Sequence, residues 1–197
     1  MSDLDKAISS AKSALMTEIA ALNEYAKTLE SNIKPVLKVL IECTGHVIVT
    51  GLGKSGIIGS KMAATFASTG TPSFFVHSAE ALHGDSGAIT SSDVLLAISN
   101  SGETSEVNTL VSNVKSWGIN TIGITKNVNS TLAKIVDTCV IISYDVEADP
   151  LNLAPTTSTT LTMVLGDTLA SALMTYRGFN KSEFIRFHPG GTLGKKN

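Results

Sequence analysis

The residues best suited to chemistry cluster in Ser99-Asn-Ser-Gly-Glu-Thr-Ser-Glu106. Ser99, Ser101 and Thr104 supply hydroxyls, Asn100 an amide, and Gly102 a backbone free to turn tightly. Between a strand and a helix, such a set suits an anion. The first turn of a helix leaves its N–H groups unpartnered and adds the positive end of the dipole, so phosphate is favoured there. The same residues would also serve as caps in an ordinary strand-to-helix turn. Four ionisable side chains fall in similar loops, Lys54, Glu106, Glu147 and His188, with His83 as a fifth candidate. A lysine at a helix start is unfavourable unless an anion sits beside it, which makes Lys54 informative. Each of the others has a plainer reading: Glu106 as complement to its own helix dipole, Glu147 as one acid of Tyr144-Asp-Val-Glu-Ala-Asp149, His188 as a loop residue. Together they describe acid–base chemistry on a phosphorylated molecule. No His/Cys grouping has structural-zinc spacing, and no Ser-His-Asp arrangement stands out.

The elements that must hold these residues follow from the hydrophobic pattern. Val94–Ile98 is a continuous apolar run, as expected of a strand buried on both faces, and Val107, Leu110, Val111 and Val114 then repeat at helical spacing to about Trp117. Strands are likewise predicted at 46–50, 73–76, 120–125 and 139–143, with helices at 55–68, 131–136 and 158–176. Strands alternating with helices give a parallel sheet covered on both faces, a three-layer α/β/α sandwich. Ligands of such sheets bind at the carboxyl ends of the strands, where strand order reverses. The loops at 51–56 and 99–104 and the loop after Ser143 all belong to that edge. Ahead of the repeat, residues 4–29 predict a long helix and Pro35–Cys43 a second, with proline in its first turn. This helical segment, 1–43, packs either on the domain or on another subunit.

At 197 residues the chain is read as one domain, 1–197. A net charge of −2 without a basic cluster argues against a nucleic-acid partner. No apolar run approaches the ~20 residues of a membrane span, and the polar start, Met1-Ser-Asp-Leu-Asp-Lys6, does not read as a signal peptide. Cys43 and Cys139, far apart, read as free thiols in a reducing compartment, so a cytoplasmic location is expected.

Gly51-Leu-Gly-Lys-Ser-Gly56 matches a dinucleotide fingerprint letter for letter, but the acidic residue required after the second strand is missing, since Phe75, Val76 and His77 occupy that place. A Walker A loop fails as well, its first glycine falling at Ile48. The loop still brings Lys54 and Ser55 to the proposed anion site.

Gly53-Lys-Ser-Gly56, Ala79-Glu-Ala-Leu-His-Gly-Asp85, Ser99–Glu106, Leu153-Ala-Pro-Thr-Thr-Ser-Thr159 and His188-Pro-Gly-Gly-Thr-Leu-Gly194 resemble the sugar isomerase (SIS) domain, in order and from about residue 30 onward. Within that family the match resembles the arabinose 5-phosphate isomerases. The resemblance implies a flavodoxin-like five-stranded parallel sheet, a homotetramer, and interconversion of D-arabinose 5-phosphate with D-ribulose 5-phosphate through an enediol, feeding 3-deoxy-manno-octulosonate for lipopolysaccharide or capsule. It implies catalytic roles for Lys54, Glu106, Glu147 and His188. It also implies substrate contacts from Gly53, Ser55, Gly70, Thr71, His77, His83, Ser99, Asn100, Ser101, Gly102 and Thr104. No cofactor is required; a divalent metal such as zinc would be inhibitory, at His83. Many members carry two CBS modules after this domain, and the chain is read as a form without them. The alternatives are a module that senses a phosphosugar without catalysis, and another phosphosugar isomerase or lyase.

Overall fold

The computed structural model describes residues 2–190. The Gly191–Gly194 end of the motif beginning at His188 therefore lies outside the described residues. The elements run α1 (Asp3–Glu42), β1 (Val47–Gly51), α2 (Gly53–Ser68), β2 (Ser73–His77), α3 (Ser78–Ala81), a 3-10 turn (Asp85–Ala88), β3 (Val94–Ile98), α4 (Ser105–Ser116), β4 (Asn120–Thr125), α5 (Thr131–Ile135), β5 (Thr138–Ile141), α6 (Thr157–Arg177) and α7 (Lys181–Phe187). The five strands are parallel in the order β2-β1-β3-β4-β5. This is the flavodoxin-like order, and its reversal lies between β1 and β3.

Strand alternation assigns the two cores. Val47, Val49, Leu96, Ile98, Ile122, Ile124 and Val140 point to one face, where α1, α2 and α6 cover them with Leu40, Met62, Phe66, Leu161, Leu165 and Leu169. Ile48, Leu95 and Ala97 point to the other, under Val107, Leu110, Val111 and Val114 of α4 and Leu132 of α5. Both faces of β3 are thus dry, as its unbroken apolar run requires.

One expectation is corrected. The leading segment is one continuous helix of 40 residues with Pro35 inside it, not two helices. A proline removes one backbone bond, but Val36 and Leu40 are fully buried immediately beyond it, and their packing against α6 continues the helix through the defect. A further helix, α7, follows Gly178: the side chain of its N-cap Asn180 accepts from the N–H groups of Ser182 and Glu183, while the Glu183 carboxylate accepts in return from the Asn180 N–H. The Asn-x-x-Glu capping box was the sequence signal for it.

Along α1, Tyr25, Val36 and Leu40 are buried against the domain, whereas Leu4, Ile8, Leu15, Met16 and Ile19 are exposed. Cys43 and Cys139 are free and half-buried, and burial raises both thiols, that of Cys139 to about 11. No helix among the described residues is long and apolar enough to cross a membrane.

Candidate active site

The reversal of strand order separates the loops leaving β1 and β3, and a crevice of about 320 Å³ opens there. Lys54 and Ser55 line it from the start of α2, Asn100, Ser101 and Thr104 from the loop after β3, and Pro155, Ser158, Thr159 and Thr162 from the start of α6. Five sequence candidates, Lys54, Ser55, Asn100, Ser101 and Thr104, therefore meet at one place. A larger groove of about 570 Å³ lies between α1 and the loop after β5, but its charged residues are Glu24 and Asp145. Two carboxylates without a cation repel a phosphate, so the smaller crevice is the better anion site.

Ser99 and Gly102 shape this loop from behind. Ser99 is buried, its Oγ accepts from the Gly102 N–H at 3.1 Å, and it shares a 2.9 Å hydrogen bond with Thr104 Oγ1. Gly102 has φ +72°, and a Cβ there would lie 2.2 Å from Ser130 Oγ. No side chain fits. Gly53 likewise has positive φ, +57°, where β1 hands over to α2.

Glu147 does not line the crevice but is bonded to its wall. Its Oε2 accepts from the N–H groups of Thr156 (2.8 Å) and Ser158 (3.1 Å), and its Oε1 from the Tyr144 hydroxyl at 2.9 Å. Partial burial pulls the carboxyl upward, yet the hydrogen bonds from Ser158, Thr156 and Tyr144 outweigh it and hold Glu147 below the usual glutamate range. Glu106, in the first turn of α4, accepts from Ser105 Oγ at 2.9 Å; its own backbone N–H and Ser105 hold it low.

The other candidates are not brought to this crevice within one chain. His188 stacks on Phe184, ring centroids 3.9 Å apart, and its Nδ1 lies 2.8 Å from the Phe184 carbonyl. A carbonyl only accepts, so Nδ1 donates and Nε2 of the neutral ring is left as an acceptor. Gly70 and Thr71 precede β2, at the amino edge of the sheet, opposite the crevice. There Gly70, at φ +91°, leaves room for the ring of Phe179, 2.4 Å from where a Cβ would stand. His77 ends β2 at the carboxyl edge but pairs in register with Gly51 on the side of β1 away from β3. His83 is exposed after α3, and among the described residues no three His, Cys, Asp or Glu side chains stand together as a metal site.

Sequence reasoning missed Thr162 and Tyr144. Thr162 lies one turn beyond Ser158 on the same helix face, which a helical wheel through the Leu153–Thr159 motif would have shown. Tyr144 carried no signal, because its importance depends on which loops the sheet brings side by side.

The profile of the SIS domain matches residues 40–172. Arabinose 5-phosphate isomerase KpsF of Escherichia coli is 52% identical over 190 residues, covering 96% of this chain and 58% of that protein. Arabinose 5-phosphate isomerase KdsD of Pseudomonas aeruginosa is 49% identical over 189 residues, with 96% and 58% covered. The chain thus spans somewhat under three-fifths of the length of these curated relatives. A solved structure from E. coli CFT073, in complex with arabinose 5-phosphate, is 43% identical, covers 96% of this chain and 100% of its own, and superposes with a TM-score of 0.91. A crevice at the β1/β3 reversal, a Ser-Asn-Ser-Gly loop with no room for a side chain at its glycine, and these matches agree: the chain belongs to the SIS domain family.

Proposed function

We propose that the chain is an aldose–ketose isomerase that interconverts D-arabinose 5-phosphate and D-ribulose 5-phosphate. The observation that supports this reading is the one crevice lined together by Lys54 and by Ser55, Ser101 and Thr104, in a fold shared over 96% of the chain with a protein solved in complex with arabinose 5-phosphate. The relatives named arabinose 5-phosphate isomerase support the same substrate.

In this reading Ser55, Ser101, Thr104 and the N–H groups of the loop hold the phosphate, so that the open-chain sugar lies along the crevice. Lys54 polarises the C1 carbonyl oxygen. The proton leaves C2, the enediol carries the charge on an oxygen near Lys54, and the proton returns at C1 while the hydroxyl proton moves from O2 to O1. Glu147 or His188 moves the carbon-bound proton, and Glu106 orients sugar hydroxyls. These steps use no metal or organic cofactor. Run in reverse, the same steps yield arabinose 5-phosphate, which would feed 3-deoxy-manno-octulosonate synthesis in the cytoplasm. The exposed apolar residues of α1, from Leu4 to Ile19, support assembly into a homotetramer that buries them.

Incubation with arabinose 5-phosphate in deuterated water tests the proposal. Ribulose 5-phosphate should accumulate with deuterium incorporated on carbon; a chain that binds the sugar without ketose formation or exchange is not this isomerase. Glu147→Gln and His188→Ala, assayed separately, distinguish the base, since only its loss abolishes exchange while binding persists.

A further inference from the structure

Two of the loops at the carboxyl edge, separated in the sheet by β4, are joined by one side chain. Asn100 Nδ2 donates to the Tyr144 hydroxyl at 2.9 Å, and that hydroxyl donates to Glu147 Oε1 at 2.9 Å. The direction is fixed by chemistry. An amide NH₂ only donates and an ionised carboxylate only accepts, so the phenol proton belongs to Glu147. The same bond sets the Asn100 amide with its Oδ1 buried and, among the described residues, unpartnered. Asn100 is also one of the residues that line the crevice. Tyr144 itself is 9% exposed, and Lys126 Nζ sits 3.8 Å above its ring.

Resting on the isomerase reading above, we propose that Tyr144 is a positioning residue: its hydroxyl fixes the orientation of the Asn100 amide and of the Glu147 carboxylate together, so that the sugar-binding loop and the acid–base loop keep one register. Without it, Oε2 of Glu147 stays anchored to Thr156 and Ser158, but Oε1 loses its donor and the Asn100 amide is free to turn over. The charges around Glu147 are otherwise unchanged by a Phe ring: Lys126 over that ring, and Asp145 and Asp149 on the same loop. Asp149 is engaged by the N–H groups of Leu151, Leu153 and Ala154 and is not part of the link.

Tyr144→Phe keeps the ring and removes only the hydroxyl. In the parental background kcat/KM for arabinose 5-phosphate should fall about tenfold, the scale of one hydrogen bond to a charged group. In a Glu147→Gln background the same change should cost clearly less than in the parent, because only the setting of the Asn100 amide is then left to lose. Equal losses in both backgrounds, or a loss under twofold in the parent, would overturn the proposal, because a merely structural tyrosine subtracts the same from either. A second measurement needs no substrate: the Glu147 carboxyl, followed by carbon NMR, should titrate at least half a pH unit higher in Tyr144→Phe, and an unmoved titration also refutes the link. If the parental chain fails to isomerise the sugar, the isomerase reading is lost, while the titration still decides whether Tyr144 holds Glu147.

Discussion

Replacing Gly102 with alanine should damage both stability and turnover, by amounts that the geometry of the loop separates from an ordinary glycine effect. At φ +72° any L side chain is strained, at about 1–2 kcal/mol. The new Cβ would also stand 2.2 Å from Ser130 Oγ, 2.4 Å from Ser130 Cβ and 2.9 Å from Thr125 Oγ1. Ser130 is fully buried and caps α5 by accepting from the Ala133 N–H at 3.2 Å. It cannot swing aside without losing that cap, a further loss of about 1 kcal/mol. The sum is about 2–3 kcal/mol, or roughly 4–12 °C in Tm for a domain of this size. Gly118 provides the control. It closes α4 at φ +80° with no atom within 4 Å of the position a Cβ would take, so Gly118→Ala carries the backbone strain alone. Calorimetry of both variants should show Gly102→Ala less stable than Gly118→Ala by at least about 1 kcal/mol. Because the displaced turn carries Ser101 and Thr104, kcat/KM for arabinose 5-phosphate should fall about 100-fold in the first variant and stay near parental in the second. Equal melting temperatures with unchanged turnover in Gly102→Ala would refute the argument that the loop is built around a missing side chain.

Other outcomes follow from single features of the structure. Lys54→Met, at an exposed helix start, should lower kcat at least about 100-fold, the scale of one donor to a developing oxyanion, with Tm unchanged within error; a kcat within threefold of the parent removes Lys54 from the mechanism. Glu147 is held below the usual 4.5, so its folded form binds a proton less readily than the unfolded chain. Its contribution is therefore fully present above about pH 4.5 and lost as pH falls through the lowered value, so the stability gap between parent and Glu147→Gln should be widest near neutral pH and close toward pH 3 in urea titrations. Pro35→Ala restores a donor inside α1 and should raise stability by about 1–3 kcal/mol in denaturant unfolding; a loss would mean that α1 needs the proline.

Much of the fold was legible in the chain because its signals are local. The apolar run Val94–Ile98 and the strand Asn120–Thr125 are where hydrophobic content alone puts them, and the helices after β1 and β3 follow from periodicity. The Ser99–Thr104 turn was legible for the same reason: small hydroxyl residues and one glycine between a strand and a helix leave few conformations. Local rules misread Pro35, because burial of Val36 and Leu40 against α6 outweighs the broken backbone bond. They also passed over α7, whose capping box carries little hydrophobic pattern.

What the sequence determined by itself is a set of short-range facts: which segments are strands, that they are parallel, and which loops carry hydroxyls, a lysine and acids. Strand order is a long-range choice, set by how the helices pack on the two faces; the resemblance to a flavodoxin-like sheet implied it, local pattern did not, and the tertiary structure places β1 beside β3 and opens the crevice between Lys54 and Ser101. It alone set Gly70 and Thr71 at the amino edge, where Phe179 fills the space beside Gly70, and tied Asn100 to Glu147 through Tyr144. Residues distant along a chain meet only when the whole core is assembled, and no local pattern encodes the meeting.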